Sequence, residues 1–217
     1  LLAVYDAAVA APGPGLAVLL GSPGLGKSRI LAELARRAGE HATVVAARCD
    51  AAGGATFAPI AESLRTLLRL EEGAGEKVLR AAIDDLVRGD EGERARIAAG
   101  IGALLSGTPL SPEETFLALR RLLAALAARR PVVLAIDDLH WAEPLLLDLV
   151  EHLVQWSTGT PLIVVVAARP ELRDLRSSLV TPGALAAEIV TLGSLDASAS
   201  MQLAASVAGD AELPAAL

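Results

Sequence analysis

The stretch Gly21-Ser22-Pro23-Gly24-Leu25-Gly26-Lys27-Ser28 sets three glycines, a lysine and a hydroxyl at the spacing G-x-x-x-x-G-K-[ST]. Each residue type has a use against a polyphosphate. Glycines let the backbone wrap so that successive N–H groups face one centre, and a helix starting there adds the positive end of its dipole. Lys27 supplies a point charge for the terminal phosphates, Ser28 offers its hydroxyl to Mg²⁺, and Arg29 completes the candidate binding set. The flanks agree with this chemistry, because an apolar run precedes the loop and a helical pattern follows it. The expected ligand is ATP or a closely related nucleoside triphosphate, with ADP as its counterpart, bound together with Mg²⁺.

A second constellation is Val132-Val133-Leu134-Ala135-Ile136-Asp137-Asp138, a buried strand ending in two carboxylates. In open α/β sheets ligands sit at the C-terminal edge of the strands, the edge that also carries a phosphate loop. Asp137 is expected to hold Mg²⁺ through its water shell, and Asp138 to orient or deprotonate an attacking water. Arg169 follows another apolar strand and precedes Pro170, which puts a cation on the same edge. It reads as a sensor of the terminal phosphate, or else as a solvated loop arginine or a partner for Glu171. His140 and Trp141 lie just beyond the acidic pair, where His140 serves as a hydrogen-bonding support or as packing for the next helix start. Three scattered histidines and one cysteine make no zinc spacing and no nucleophile constellation.

These residues need a scaffold, and the pattern around them supplies one. Candidate strands are Leu16 to Leu20, Thr43 to Ala47, Val132 to Ile136, Leu162 to Ala167 and Glu188 to Leu192. Three are nearly unbroken apolar runs, as expected of parallel strands covered on both faces. Helical patterns fill the intervals at Lys27 to Ala38, Pro59 to Leu70, Glu76 to Val87, Pro112 to Arg129 and Pro144 to Gln155. Ser111, Pro112 and Glu114 form a capping-box start. The class is α/β. The stretch 53–111 reads as a helical insertion, of which Glu71 to Gly102 is a Gly- and charge-rich helical excursion. From Ser194 onward an Ala-rich helical pattern begins.

Composition narrows the function classes. A net charge of −7 and a pI near 5.0 argue against this segment being a nucleic-acid platform. No long apolar stretch runs free of charge, Pro and Gly, and no leader pattern is present, so a cytoplasmic protein without membrane contact is expected. Cys49, the only cysteine, reads as a small buried hydrophobe at a strand end.

With those residues in hand, the chain resembles the nucleotide-binding domain of AAA+-related STAND ATPases, found in large LuxR-type bacterial transcriptional regulators and adenylyl-cyclase-linked multidomain proteins. The likeness runs from Gly21 to Ser28 and Arg29-Ile30-Leu31, through Ala47-Arg48-Cys49-Asp50 and Phe57-Ala58-Pro59. It continues through Ile136-Asp137-Asp138-Leu139-His140-Trp141-Ala142-Glu143 and Ala168-Arg169-Pro170-Glu171-Leu172, and ends at Leu192-Gly193-Ser194-Leu195. The run Asp137 to Glu143 is its most specific string.

The resemblance implies a three-layer α/β/α P-loop NTPase with a parallel five-stranded sheet ordered 5-1-4-3-2. It places Mg²⁺ on Asp137, the catalytic acidic role on Asp138 and the first sensor on Arg169. Residues 1–193 are then the ATPase domain and 194–217 the start of a helical lid, an excised piece of a longer chain with other domains and a possible homo-oligomer. The implied function is a Mg-dependent ATPase acting as a signalling or transcriptional switch. A binding module with negligible turnover and, less favoured by the acidic pair, a P-loop kinase are the alternatives.

Overall fold

Unbroken Val, Leu, Ile and Ala in a strand require cover on both faces. In the computed structural model, which describes residues 13–194 except 88, 109, 184 and 186, β1 (Pro14–Leu20), β3 (Val132–Asp137) and β4 (Leu162–Ala168) are such strands. β3 and β4 are buried along their whole length, and β1 from Leu16 onward. β2 (Thr43–Arg48) and β5 (Ala187–Thr191) alternate buried or half-buried with exposed positions and form the two edges. The order is β2-β3-β4-β1-β5 with every pairing parallel. It is the expected order 5-1-4-3-2 read from the other edge.

Successive side chains point to opposite faces of a strand, so each run feeds two cores. Ala17, Leu19, Val133, Ala135, Ile163 and Val165 pack with Leu31, Leu34 and Ala38 of α1 (Lys27–Ala38). Leu16, Val18, Leu134, Ile136 and Val164 join the larger cluster on the other face. That cluster includes α5 (Pro112–Ala127) and α6 (Pro144–Trp156). Each fully buried Leu, Ile or Val is worth about 1.5–3 kcal/mol of transfer free energy. The sheet that presents the functional edge is thus a rigid platform. No helix among the described residues is long and apolar enough to cross a membrane.

Between β2 and β3 lie α2 (Ala58–Leu68), α3 (Glu76–Leu86) and α4 (Glu91–Ser106). The sequence pattern reads Glu71 to Gly102 as a helical excursion with a helix at Glu76 to Val87, and the structure adds a second, 16-residue helix, α4, that overlaps its C-terminal part. Its start is capped by Asp90, whose Oδ1 accepts the Glu93 N–H at 2.8 Å. Gly92, Gly100 and Gly102 obscured the periodicity, and the reason for Gly100 is close approach. A Cβ there would lie 2.5 Å from Cβ of Ala118 on α5. Gly100→Ala is therefore expected to destabilise the fold by about 1–3 kcal/mol through overpacking, against the ~1 kcal/mol that Ala ordinarily gains in a helix. Urea denaturation measures this, and a stabilised variant would show that α4 and α5 separate freely.

The capping box at Ser111 is present, with Ser111 N–H donating to Glu114 at 2.9 Å and Glu114 N–H to Ser111 Oγ at 3.2 Å. After β4 the chain makes two short turns, α7 (Leu172–Leu175) and α8 (Ser177–Val180), unmarked in the sequence pattern. Between them Arg176 anchors to Asp148 at 2.6 Å and Glu151 at 3.3 Å on α6. The expected lid start lies, from residue 195 onward, outside the described residues.

Candidate functional site

Parallel register sets the site. Arg48 pairs with Asp137, Ile136 with Val166, and Leu20 with Ala168. The ends of β2, β3, β4 and β1 are thus level within about a residue, and the Gly21 N–H donates to Ala168 O at 3.2 Å. The structure brings the loop, the acidic pair, Arg48 and Arg169 to this one edge.

Within the loop, Gly24 and Gly26 have φ of +82° and +83°, and a Cβ at either would meet nothing within 4 Å. Their requirement is conformational, since L side chains strain in the left-handed region. Gly21 is different, because its Cβ would lie 3.2 Å from Cβ of Leu192. Ser22, Pro23, Gly24, Gly26, Ser28 and Arg29 are exposed and Leu25 is half-buried. The helix α1 has no side-chain cap and no acidic residue in its first turn, and its first internal bond is Ile30 N–H to Gly26 O. Among the described residues the N–H groups of Gly26 to Arg29 are therefore left without acceptors, an arrangement suited to an anion.

Lys27 is only 7% exposed. Its Nζ donates to Gly21 O at 2.8 Å and Ser22 O at 3.0 Å, and among the described residues it has no carboxylate partner. A buried ammonium without a counter-ion is costly unless a ligand supplies the charge.

Asp137, 8% exposed, uses Oδ1 to accept the Asp138 N–H at 2.9 Å, and its other oxygen takes no hydrogen bond from the described residues. Asp138 has φ 54°, ψ 36°, a left-handed geometry that Asp tolerates better than most residues. That kink turns the chain off the strand into the 3₁₀ turn Leu139–Trp141. It also turns the Asp138 carboxylate toward Arg48, whose Nε and Nη2 donate to Oδ2 at 3.2 and 3.1 Å. Arg48 was not among the expected site residues. Its signal was present: an arginine at a strand end facing the same edge.

No cluster of three or more His, Cys, Asp or Glu suitable for a metal occurs among the described residues. Mg²⁺ fits the remaining donor set of Ser28 and Asp137, because this ion keeps several waters and needs few protein oxygens. Cys49 is buried, and burial, with the negative Asp138 and Asp137 nearby, pushes its thiol up to about 11. It is a neutral packing group.

Arg169 is half-buried and its N–H donates to Nδ1 of His140 at 3.4 Å. The His140 proton then sits on Nε2, which is buried and has no hydrogen-bond partner among the described residues. Burial first, and the positive charge of Arg169 next, lower the His140 pKa, so the ring stays neutral.

A phosphate-type loop between a buried strand and a helix, on a parallel sheet whose adjoining edge carries two carboxylates, defines a P-loop nucleotide-binding domain. Residues 1–165 match the AAA ATPase domain family, and the chain belongs to it. It is 28% identical over 172 residues to an uncharacterized protein of Rhizobium meliloti (strain 1021), covering 73% of this chain and 16% of that protein's length. The chain therefore spans a small part of that relative.

Its fold is similar to the crystal structure of Cdc6p from Pyrobaculum aerophilum, with a TM-score of 0.58 and 17% identity over 97% of this chain and 48% of that one. A structure of Drosophila ORC bound to AT-rich DNA and Cdc6 aligns at a TM-score of 0.42 with 13% identity, covering 89% of this chain and 28% of that one. That level carries no weight.

Proposed function

We propose that this chain binds Mg·ATP and hydrolyses it slowly, as the nucleotide-controlled switch of a larger signalling or transcriptional regulator of the STAND type. The observation that carries the reading is Lys27, a buried ammonium with no carboxylate partner among the described residues, beside a run of N–H groups unpaired among those same residues. Family membership and the string Asp137 to Glu143 support it. Residues 1–193 form the α/β unit of this switch and 194–217 open its lid.

The residues divide the work. N–H groups of the loop and the start of α1 hold phosphate oxygens, and Lys27 exchanges the carbonyls of Gly21 and Ser22 for phosphate charge. Ser28 and Asp137 hold Mg²⁺, which when bound supplies charge neutralisation at the phosphates. Asp138 orients the attacking water and takes its proton. Arg169 reads the terminal phosphate.

The Arg48 contact favours a low resting rate, because the carboxylate that must meet water is engaged elsewhere. Arg48 is 72% exposed, so the pair is worth no more than ~1 kcal/mol. Arg48→Ala is accordingly expected to raise basal phosphate release by at most about five-fold. A fall in steady-state release at saturating ATP would show instead that Arg48 assists the reaction.

The whole reading is tested by calorimetry with ATP and ADP, with and without Mg²⁺, beside a phosphate-release assay on the same sample. Mg-dependent ATP binding with slow release is expected. Binding with no release would favour an assembly module that responds to occupancy alone, and absence of binding would refute the loop assignment.

A further inference from the structure

Arg169 directly follows β4, the strand beside β1, whose end carries the phosphate loop. Its guanidinium makes no hydrogen bond or ion pair among the described residues. Instead its Cζ lies 5.4 Å from the ring centroid of Trp141, in the turn after β3, the other neighbour of β4. Trp141 lines a cavity of about 250 Å³ together with Arg48 and Cys49 from the end of β2, so it belongs to the β2–β3 side of the edge. The arginine thus lies toward the side away from the loop. Its root is fixed by His140, which accepts the Arg169 N–H and whose ring lies 4.9 Å from that of Trp141. Trp141 itself is 44% exposed, so its ring is held in place without being part of the core.

We propose that Trp141 is a positioning residue, holding the Arg169 guanidinium on stand-by on the β3 side until a terminal phosphate draws it across. This deepens the function proposed above and rests on it. A cation over a half-exposed indole is attracted weakly, by cation–π contact and stacking. A phosphate oxygen pair offers charge-assisted, bidentate bonds, which are stronger. A triphosphate therefore wins the guanidinium from the ring, whereas a diphosphate leaves it there. The same contact makes the indole a reporter of which nucleotide is bound.

The chain has two tryptophans. Trp156, at the far end of α6 and 61% exposed, takes no part in the site. In a Trp156→Phe chain Trp141 is the sole tryptophan, and its emission is followed during titration with Mg²⁺ and a non-hydrolysable ATP analogue or ADP. Calorimetry on the same samples gives the affinities. The analogue is expected to change the emission and ADP to leave it, and Arg169→Ala in this background to show altered emission before any nucleotide is added. Trp141→Leu is expected to tighten the analogue relative to ADP by about two- to five-fold, the reciprocal of the lost cation–π contact. Trp141→Phe, which keeps a weaker ring, falls between.

Bound analogue with unchanged emission and an unchanged analogue-to-ADP ratio in Trp141→Leu would overturn the stand-by role while leaving the nucleotide site intact. Weaker analogue binding in Trp141→Leu would also overturn it, because the ring would then present the arginine rather than withhold it. Absence of calorimetric binding by either nucleotide defeats the site and the proposal together. Should Trp141→Leu fail to fold, the emission of the Trp156→Phe chain decides alone.

Discussion

Lys27→Ala is expected to weaken ATP binding by about 30-fold to about 5,000-fold, the equivalent of ~2–5 kcal/mol for removing one member of a buried charge-assisted contact. The ammonium is 7% exposed and, without ligand, leans only on two backbone carbonyls at 2.8 and 3.0 Å. Those carbonyl bonds contribute roughly 1.5–3 kcal/mol each, but they offset the cost of burying an ammonium without a counter-ion, so the ligand-free variant should lose little stability. The difference appears on adding Mg·ATP. Ligand present at about 100 times its Kd should stabilise the native chain by ~2.7 kcal/mol, and the variant at the same concentration should keep at most about a third of that, falling to almost none at the upper end of the range. Calorimetry and the nucleotide-induced rise in Tm measure both effects. Undiminished affinity would refute the loop as the triphosphate site, and a large Tm loss without nucleotide would make Lys27 a structural residue.

Much of this architecture was written in local pattern. The helix after the loop was read at Lys27 to Ala38 and is found there, because a glycine in the left-handed region stops the strand-side chain and Gly39 closes the far end. The three interior strands were legible because parallel strands buried on both faces tolerate almost nothing but Val, Leu, Ile and Ala. The edge strands were less so. Only the alternation in β2 and β5 distinguished them, and β5 begins at Ala187 and ends at Thr191 rather than running to Leu192. Helix α4 was obscured for a tertiary reason: Gly100 has no side chain because Ala118 of another helix occupies that space. A partner distant in sequence leaves no trace in the local period.

At the site, the residue types announced themselves and their orientations did not. The register that levels Arg48 with Asp137 is a property of the assembled sheet, so its strand-end position put Arg48 at this edge without marking it as the partner of Asp138. The left-handed conformation of Asp138 was likewise hidden, because Asp adopts it less often than Gly and no glycine stands there as a flag. Sequence leaves Arg169 as a sensor or a partner for Glu171, and in the described structure its guanidinium lies over Trp141 without an ion pair to Glu171.

That backbone conformation decides which substitution isolates the chemistry of Asp138. Alanine would strain at φ 54° and confound stability with mechanism, whereas asparagine tolerates the left-handed region and keeps the side-chain shape. Asp138→Asn also loosens the hold of Arg48, but that contact is weak and exposed. If the carboxylate orients and deprotonates the attacking water, phosphate release should fall by about 10²- to 10⁴-fold, the usual worth of a positioned general base. ATP affinity should move by no more than a few-fold, because Lys27, Ser28 and Asp137 are untouched.

The split between rate and affinity carries the argument. A parallel loss of Mg-dependent affinity would place Asp138 among the metal-holding groups. An unchanged, barely measurable release in both proteins would mean that occupancy, not turnover, operates the switch. ADP that appears only when an acceptor alcohol is supplied, with the phosphoryl group carried on that alcohol, would turn the reading toward a kinase. Release with water as the only acceptor that collapses in Asp138→Asn, while ATP affinity holds, would leave a hydrolytic switch with Asp138 as its base.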